Sequence, residues 1–181
     1  MLENALLHST ELAEKFKKTW YDDKYKYYYA EGYGTSDQNA CNPNVSDSCW
    51  QRSFVSIGYE GEIIGYIAYR LDRSNTIAEA LKIISFNDAH HVQFCIDLKT
   101  VLSDIFKKYN MEMLFFTAVV GNPALPKYEK ILKLIGGKEI GVAHNRVRLM
   151  DNSLYDLKYF EVSKENYYKF YGNKENVPAS P

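Results

Sequence analysis

The stretch from Leu114 to Gly137, LFFTAVVGNPALPKYEKILKLIGG, most constrains what this chain can fold into. Residues 114–120 are apolar apart from the β-branched Thr117, the composition of a strand covered on both faces. Gly121-Asn122-Pro123 breaks the run, because glycine permits φ > 0 and proline has φ preset for a first helical turn. Leu125, Tyr128, Ile131, Leu132 and Ile135 then recur at three- and four-residue steps, which makes one apolar helical stripe. Gly136-Gly137 closes that helix with an αL residue at C′. A strand that hands over to a helix at a polar turn puts polar groups at its carboxyl end, where open α/β sheets bind ligands.

The rest of the chain supplies partners for this unit. A helix is expected over residues 2–20, where Leu6, Leu7, Leu12, Phe16 and Trp20 recur among charges, with Ser9 or Thr10 as N-cap. Residues 21–33 are dense in Tyr, Lys and Asp and read as a second short helix. Residues 34–51 have no periodicity and read as a long surface loop. Strands at 53–59 and 63–71 flank Glu60-Gly61-Glu62, a tight hairpin signal. Residues 72–75 make a second turn and 76–86 a third strand, completing an antiparallel meander. Helix resumes near Val92, with Phe94, Ile96, Leu98, Val101, Leu102, Ile105, Phe106 and Tyr109 inward and Asn110 at its end. Beyond Gly137, residues 138–143 read as a strand, and 147–150 with 155–162 as a final hairpin turned at Asp151-Asn152-Ser153. The fold class is therefore α/β with a mixed sheet: meander, crossover helix, parallel strand, helix and C-terminal hairpin. No repeat or internal boundary appears, so residues 1–172 are expected to form one domain, with 173–181 a disordered, Pro-containing tail.

Charge and cysteines exclude several classes. A net charge of −1 gives no basic field for nucleic acid or a membrane surface. No apolar run approaches the ~20 residues that span a bilayer, and the N-terminus lacks a signal peptide's basic-then-apolar order, so the cytoplasm is the expected location. Cys41, Cys49 and Cys95 cannot build a disulfide framework, and a Cys41–Cys49 pair is disfavoured in a reducing compartment. No Cys/His spacing suits zinc, and no metal is expected. The 16 Tyr are the unusual count; such rings line clefts or fill cores.

Three places resemble the GNAT superfamily of N-acetyltransferases, over roughly residues 53–162. Ile63-Ile-Gly-Tyr-Ile-Ala-Tyr69 after Glu60-Gly61-Glu62 is similar to the family's "gxiiGyi" strand. Asn122-Pro-Ala through Tyr128-Glu-Lys to Gly136-Gly137 is similar to its "NPA…YEK…GG" helix. Glu79, six residues before Ser85, stands where the family carries a catalytic glutamate. The sequence departs from the pattern at His90-His91-Val92-Gln93-Phe94-Cys95, where members usually have a glycine-rich loop whose amides hold the coenzyme pyrophosphate. Bare N–H groups at a helix N-terminus are the physical need, and glycine gives the closest approach.

The resemblance implies transfer of an acetyl group from acetyl-CoA to a primary amine of a small molecule or peptide. In that scheme Glu79 removes a proton from the amine and Tyr128 protonates the departing thiolate. Ile84, Ser85, the segment His90, His91, Val92, Gln93, Phe94 and Cys95, and Asn122 would hold the coenzyme. Apart from the resemblance, Tyr25, Tyr27, Tyr28, Tyr29 and Tyr33 could wall the amine by cation–π attraction. Each has a plainer reading. Glu79 suits a solvent-facing strand position, Tyr128 a core stripe, and Asn122 a helix cap. The histidines suit an exposed loop, Cys95 a core helix position, and the tyrosines packing. The alternative function is a non-catalytic binding module on the same fold. A homodimer paired through the last strands is one of two oligomeric states left open.

Overall fold

The computed structural model describes residues 1–20, 22–28 and 45–171. Its strands are β1 (Leu2–Asn4), β2 (Gln51–Ile57), β3 (Ile63–Asp72), β4 (Ile77–Ser85), β5 (Met113–Val119), β6 (Lys138–Arg148) and β7 (Leu154–Ser163). The α-helices are α1 (Ser9–Trp20), α2 (His91–Lys107), α3 (Leu125–Leu134) and α4 (Lys164–Phe170). One mixed sheet runs in the order β1-β2-β3-β4-β5-β7-β6. All neighbours are antiparallel except β4 and β5, which α2 joins as a parallel crossover.

β3 is buried along nearly its whole length because both of its faces are covered. Ile64, Ile67, Tyr69 and Leu71 meet Leu98, Leu102 and Ile105 of α2 and Leu132 of α3 on one side. Ile63, Tyr66 and Ala68 meet Leu12, Phe16 and Trp20 of α1 on the other. Gly65 permits this packing, since a Cβ there would lie 2.2 Å from the ring of Phe94. The first turn of α2 sits directly on the strand.

Burial also sets a pH limit. Tyr66 and Tyr69 are buried in β3, and loss of water pushes both phenols above the ordinary tyrosine value. The unfolded chain releases these protons near pH 10, whereas the fold keeps them. Stability is therefore fully present below pH 10 and falls above it, by about 1.4 kcal/mol per pH unit for each phenol. Thermal melting at pH 9 to 11 should show this decline, and Tyr66→Phe should remove one phenol's share of the slope. An unchanged slope in that variant rules the assignment out.

The structure corrects several expectations. The N-terminal helix starts at Ser9, not Leu2: Leu2–Asn4 pairs with β2, and a 3-10 turn over Ala5–His8 follows, begun by Asn4, whose side chain accepts from the Leu6 N–H. In the described part of the expected second helix, Asp23–Tyr25 forms a turn of 3-10 type in place of an α-helix. β6 continues past Ala143 through an irregularity at 144–146 instead of breaking in two. Ile96 and Cys95 of α2 face solvent, so neither is a core residue. α4, capped by the Ser163 hydroxyl, was not anticipated. The expected tail and the partner of any Cys41–Cys49 pair lie outside the described residues.

Candidate functional site

The site is made by a sheet that comes apart. β4 and β5 pair only at Ile77↔Met113 and Ala78↔Leu114. Two residues further on, β4 carries a bulge: Arg70 of β3 faces Glu79, but Ala68 faces Lys82, so β4 has one residue to spare. Ala80 takes that slack at φ +53°, a left-handed conformation uncommon for a residue with a Cβ. The extra residue resets the alternation, so Leu81 and Ile83 turn toward α2 and α3. β5 meanwhile stays paired to β7 along all of Met113–Val119. The two strands therefore diverge, and a cavity of about 120 Å³ opens between them.

Side chains from six parts of the chain converge there. Leu81, Lys82 and Ile83 come from β4, Phe116, Thr117, Ala118 and Val119 from β5, and Asn122 and Tyr128 from the turn and helix that follow. Tyr27 and Tyr28 cover the α1 side, and Val147 and Leu157 close the far end. Lys82 is the one charged side chain among these lining residues. Burial raises the Tyr128 phenol above its ordinary value, so it stays protonated across neutral pH.

Asn122 fixes the turn that enters the helix as well as lining the cavity, while the N-cap itself is Ala124, without a side-chain cap. Its Oδ1 accepts from the Ala124 N–H at 2.8 Å and its carbonyl accepts from the Leu125 N–H at 2.9 Å. The helix consequently begins at Leu125, with Pro126 in its first turn, two residues later than Pro123 suggests. At the other end Gly136 takes φ +74°, and the Gly137 N–H donates to Leu132 O at 2.8 Å, a Schellman closure. Entry turn and closure fix the helix that carries Tyr128.

Tyr27, Tyr28 and Lys82 excepted, the other described sequence-derived residues lie apart from the cavity lining. Glu79 is beside the last β4–β5 pair, and its Oε1 accepts from Arg70 Nε at 2.9 Å and Nη2 at 2.6 Å. Ile84 is buried toward α1, and the Ser85 hydroxyl donates to Asn87 O at 3.5 Å. At the start of α2, His90 Nε2 is 3.3 Å from Glu62 Oε1 and His91 Nδ1 is 3.2 Å from Asp88 O. Gln93 turns to Asp97 at 3.3 Å, Phe94 turns onto Gly65, and Val92 is exposed. No side chain caps α2. Lys24 binds Asp88 at 2.7 Å and, with Lys127 and His91 adding, holds that carboxyl below its usual range. Tyr28 both lines the cavity and packs on Phe16, ring centroids 5.5 Å apart. Tyr29 and Tyr33 lie outside the described residues. Tyr27 and Lys82, which the sequence places at the amine wall and along the thioester, do line the cavity; sequence reasoning left Thr117 out of the site, although as the lone polar residue of its strand it was a legible signal. Among the described residues no group of His, Cys, Asp or Glu is placed to hold a metal, and no helix is long and apolar enough to cross a membrane.

No family model matches the chain, and no curated protein matches it in sequence. Solved structures do match. One, named only as an acetyltransferase, is 17% identical with TM-score 0.68, over 96% of this chain and 88% of that one. A chimera of Vibrio cholerae spermidine N-acetyltransferase SpeG and hSSAT is 18% identical with TM-score 0.63, over 93% and 99%. A second such chimera is 20% identical with TM-score 0.63, over 87% and 92%. The chain thus has the GNAT acetyltransferase fold, and the divergence of β4 from β5 is where its cavity lies.

Proposed function

We propose that this protein transfers an acetyl group from acetyl-CoA to a primary amine. The observation that carries the reading is Tyr128, a buried phenol in the gap between β4 and β5. The gap fits a thin arm bearing amides, since its walls are mostly apolar and Asn122 and Thr117 offer hydrogen-bonding groups. The start of α2, without a side-chain cap and close to Lys24 and Lys127, suits the phosphate end. When bound, acetyl-CoA supplies a thioester that an amine can attack. Tyr128 would give its proton to the leaving thiolate, and backbone N–H groups at the bulge would stabilise the developing oxyanion. Glu79 would take the amine proton through solvent. SpeG is named for acetylating spermidine, which supports an amine as the acceptor.

The alternative, a binding module that does no chemistry, draws on Glu79 being tied to Arg70 and on the absence of glycine from 90–95. Thermal melting with acetyl-CoA separates the two. At 100 times its dissociation constant a ligand adds about 2.7 kcal/mol, or roughly 5–11 °C for a chain this long. A melting temperature unmoved by saturating coenzyme would end the enzymatic reading. Given a shift, Glu79→Gln should lower turnover about 10²-fold and keep the shift. Loss of the shift in that variant would show that Glu79 acts structurally.

A further inference from the structure

Lys26 is held as a bound alkylammonium would be. Its Nζ lies 5.1 Å from the Tyr27 ring centroid and 5.6 Å from that of Tyr155. The two rings meet edge to face at 6.0 Å. The same nitrogen is 3.5 Å from Asp151 Oδ2 and 3.5 Å from the Tyr155 hydroxyl, which donates to Asp151 Oδ2 at 2.5 Å. Two aromatic rings and a carboxylate are the recognition chemistry of an amine cation. Asp151 is fixed without help from Lys26, because the Ser153 N–H donates to its Oδ1 at 3.0 Å within the β6–β7 turn.

This cage adjoins the reaction cavity. Tyr27 belongs to both, and Tyr155 pairs across the hairpin with Val147, which lines the cavity's far end. The cavity itself holds no acidic side chain among the residues that line it, and Lys82 repels a cation there. An amine that enters to react must therefore be neutral at the attacking nitrogen, and any permanent positive charge on the acceptor has to be held elsewhere. The cage is the nearest arrangement along the lining that meets this need.

We propose that the Tyr27–Tyr155–Asp151 cage is the subsite for the second ammonium of a diamine acceptor, and that Lys26 fills it until the acceptor arrives. This rests on the acetyl-transfer reading and names its substrate class. Displacement is easy, since Lys26 and Asp151 are both partly exposed and such ion pairs contribute little. Lys26 then acts as an internal competitor that an acceptor with a single amine has no means to replace productively.

Calorimetry with 1,4-diaminobutane and with n-butylamine as probes tests the subsite without requiring turnover. The diamine should bind at least ~5-fold more tightly than the monoamine, the size expected of one cation–π and carboxylate site. Lys26→Met should tighten the diamine by ~5-fold and admit the monoamine's single ammonium to the cage more weakly than the diamine, which binds at both ends. Asp151→Asn should abolish the preference, with melting curves confirming that both variants fold. In the acetyl-transfer assay the KM values of the two amines should move in the same directions. Equal affinities for the two amines, or weaker diamine binding by Lys26→Met, would overturn the proposal. Failure of acetyl-CoA to shift melting would instead strike the acetyl-transfer reading, while the calorimetric comparison would still judge the cage.

Discussion

Tyr128→Phe is expected to lower kcat by about 10²–10⁴-fold, the span of a lost general acid, while acetyl-CoA still raises the melting temperature. The substitution removes one oxygen and keeps the ring. The ring is what packs against the apolar cluster between α2 and α3, so the fold should survive. The hydroxyl is what the chemistry needs. A leaving thiolate is protonated by a group that still holds its proton at neutral pH, as a tyrosine does, and burial moves this phenol's titration further upward. For the same reason Tyr128 should impose no loss of activity as pH rises toward 10, because its titration is displaced upward. A role confined to packing predicts the reverse pattern: a shift in melting with kcat within a factor of two or three of the parent. Steady-state kinetics and melting on one preparation decide between them. If kcat holds, another group protonates the thiolate.

The sequence was most legible where local chemistry and tertiary position agree. The helix carrying Tyr128 is an example: its apolar stripe, its polar entry turn and its glycine exit all reappear in α3. Legibility failed where the decisive contact is remote. Leu2–Asn4 has no intrinsic mark of a strand and becomes one because β2 presents an edge to it. Cys95 and Ile96 look inward by their apolar neighbours, yet α2 lies on β3 with Phe94 and Leu98 facing down. The bulge at Ala80 was hidden because no glycine marks it, and with it the divergence that creates the cavity. Lys82 and Thr117 reach the site only through that divergence. Glu79 is a different case. Its position on the strand agrees with the alignment, but its partner Arg70 lies on the neighbouring strand and depends on register.

Gly136→Ala is expected to lower the melting temperature by about 4–20 °C, because two separate costs meet at one atom. Gly136 has φ +74°, where a Cβ costs about 1–2 kcal/mol. A Cβ there would also stand 2.9 Å from the backbone carbonyl of Asn166 and 2.5 Å from the ring of Phe170, both in α4. A ring can turn aside, but a helix carbonyl yields only if α4 moves, and overpacking of that kind costs about 1–3 kcal/mol more. The sum, at 2–4 °C per kcal/mol for a chain of this size, gives the expected range. Gly61 supplies the control. It has φ +84° with nothing within 4 Å of the Cβ position, so Gly61→Ala carries the strain without the collision. The two variants should differ by the α4 contribution alone. The neighbouring Gly137 makes the same point from the other side: it does not have a positive φ, and a Cβ there would lie 2.2 Å from Leu132. The paired glycines that close the Tyr128 helix therefore answer two different needs, a turn for one and close packing for the other. Equal melting temperatures for Gly136→Ala and Gly61→Ala would mean that α4 does not lock the end of α3, and that Tyr128 is held by its own helix alone.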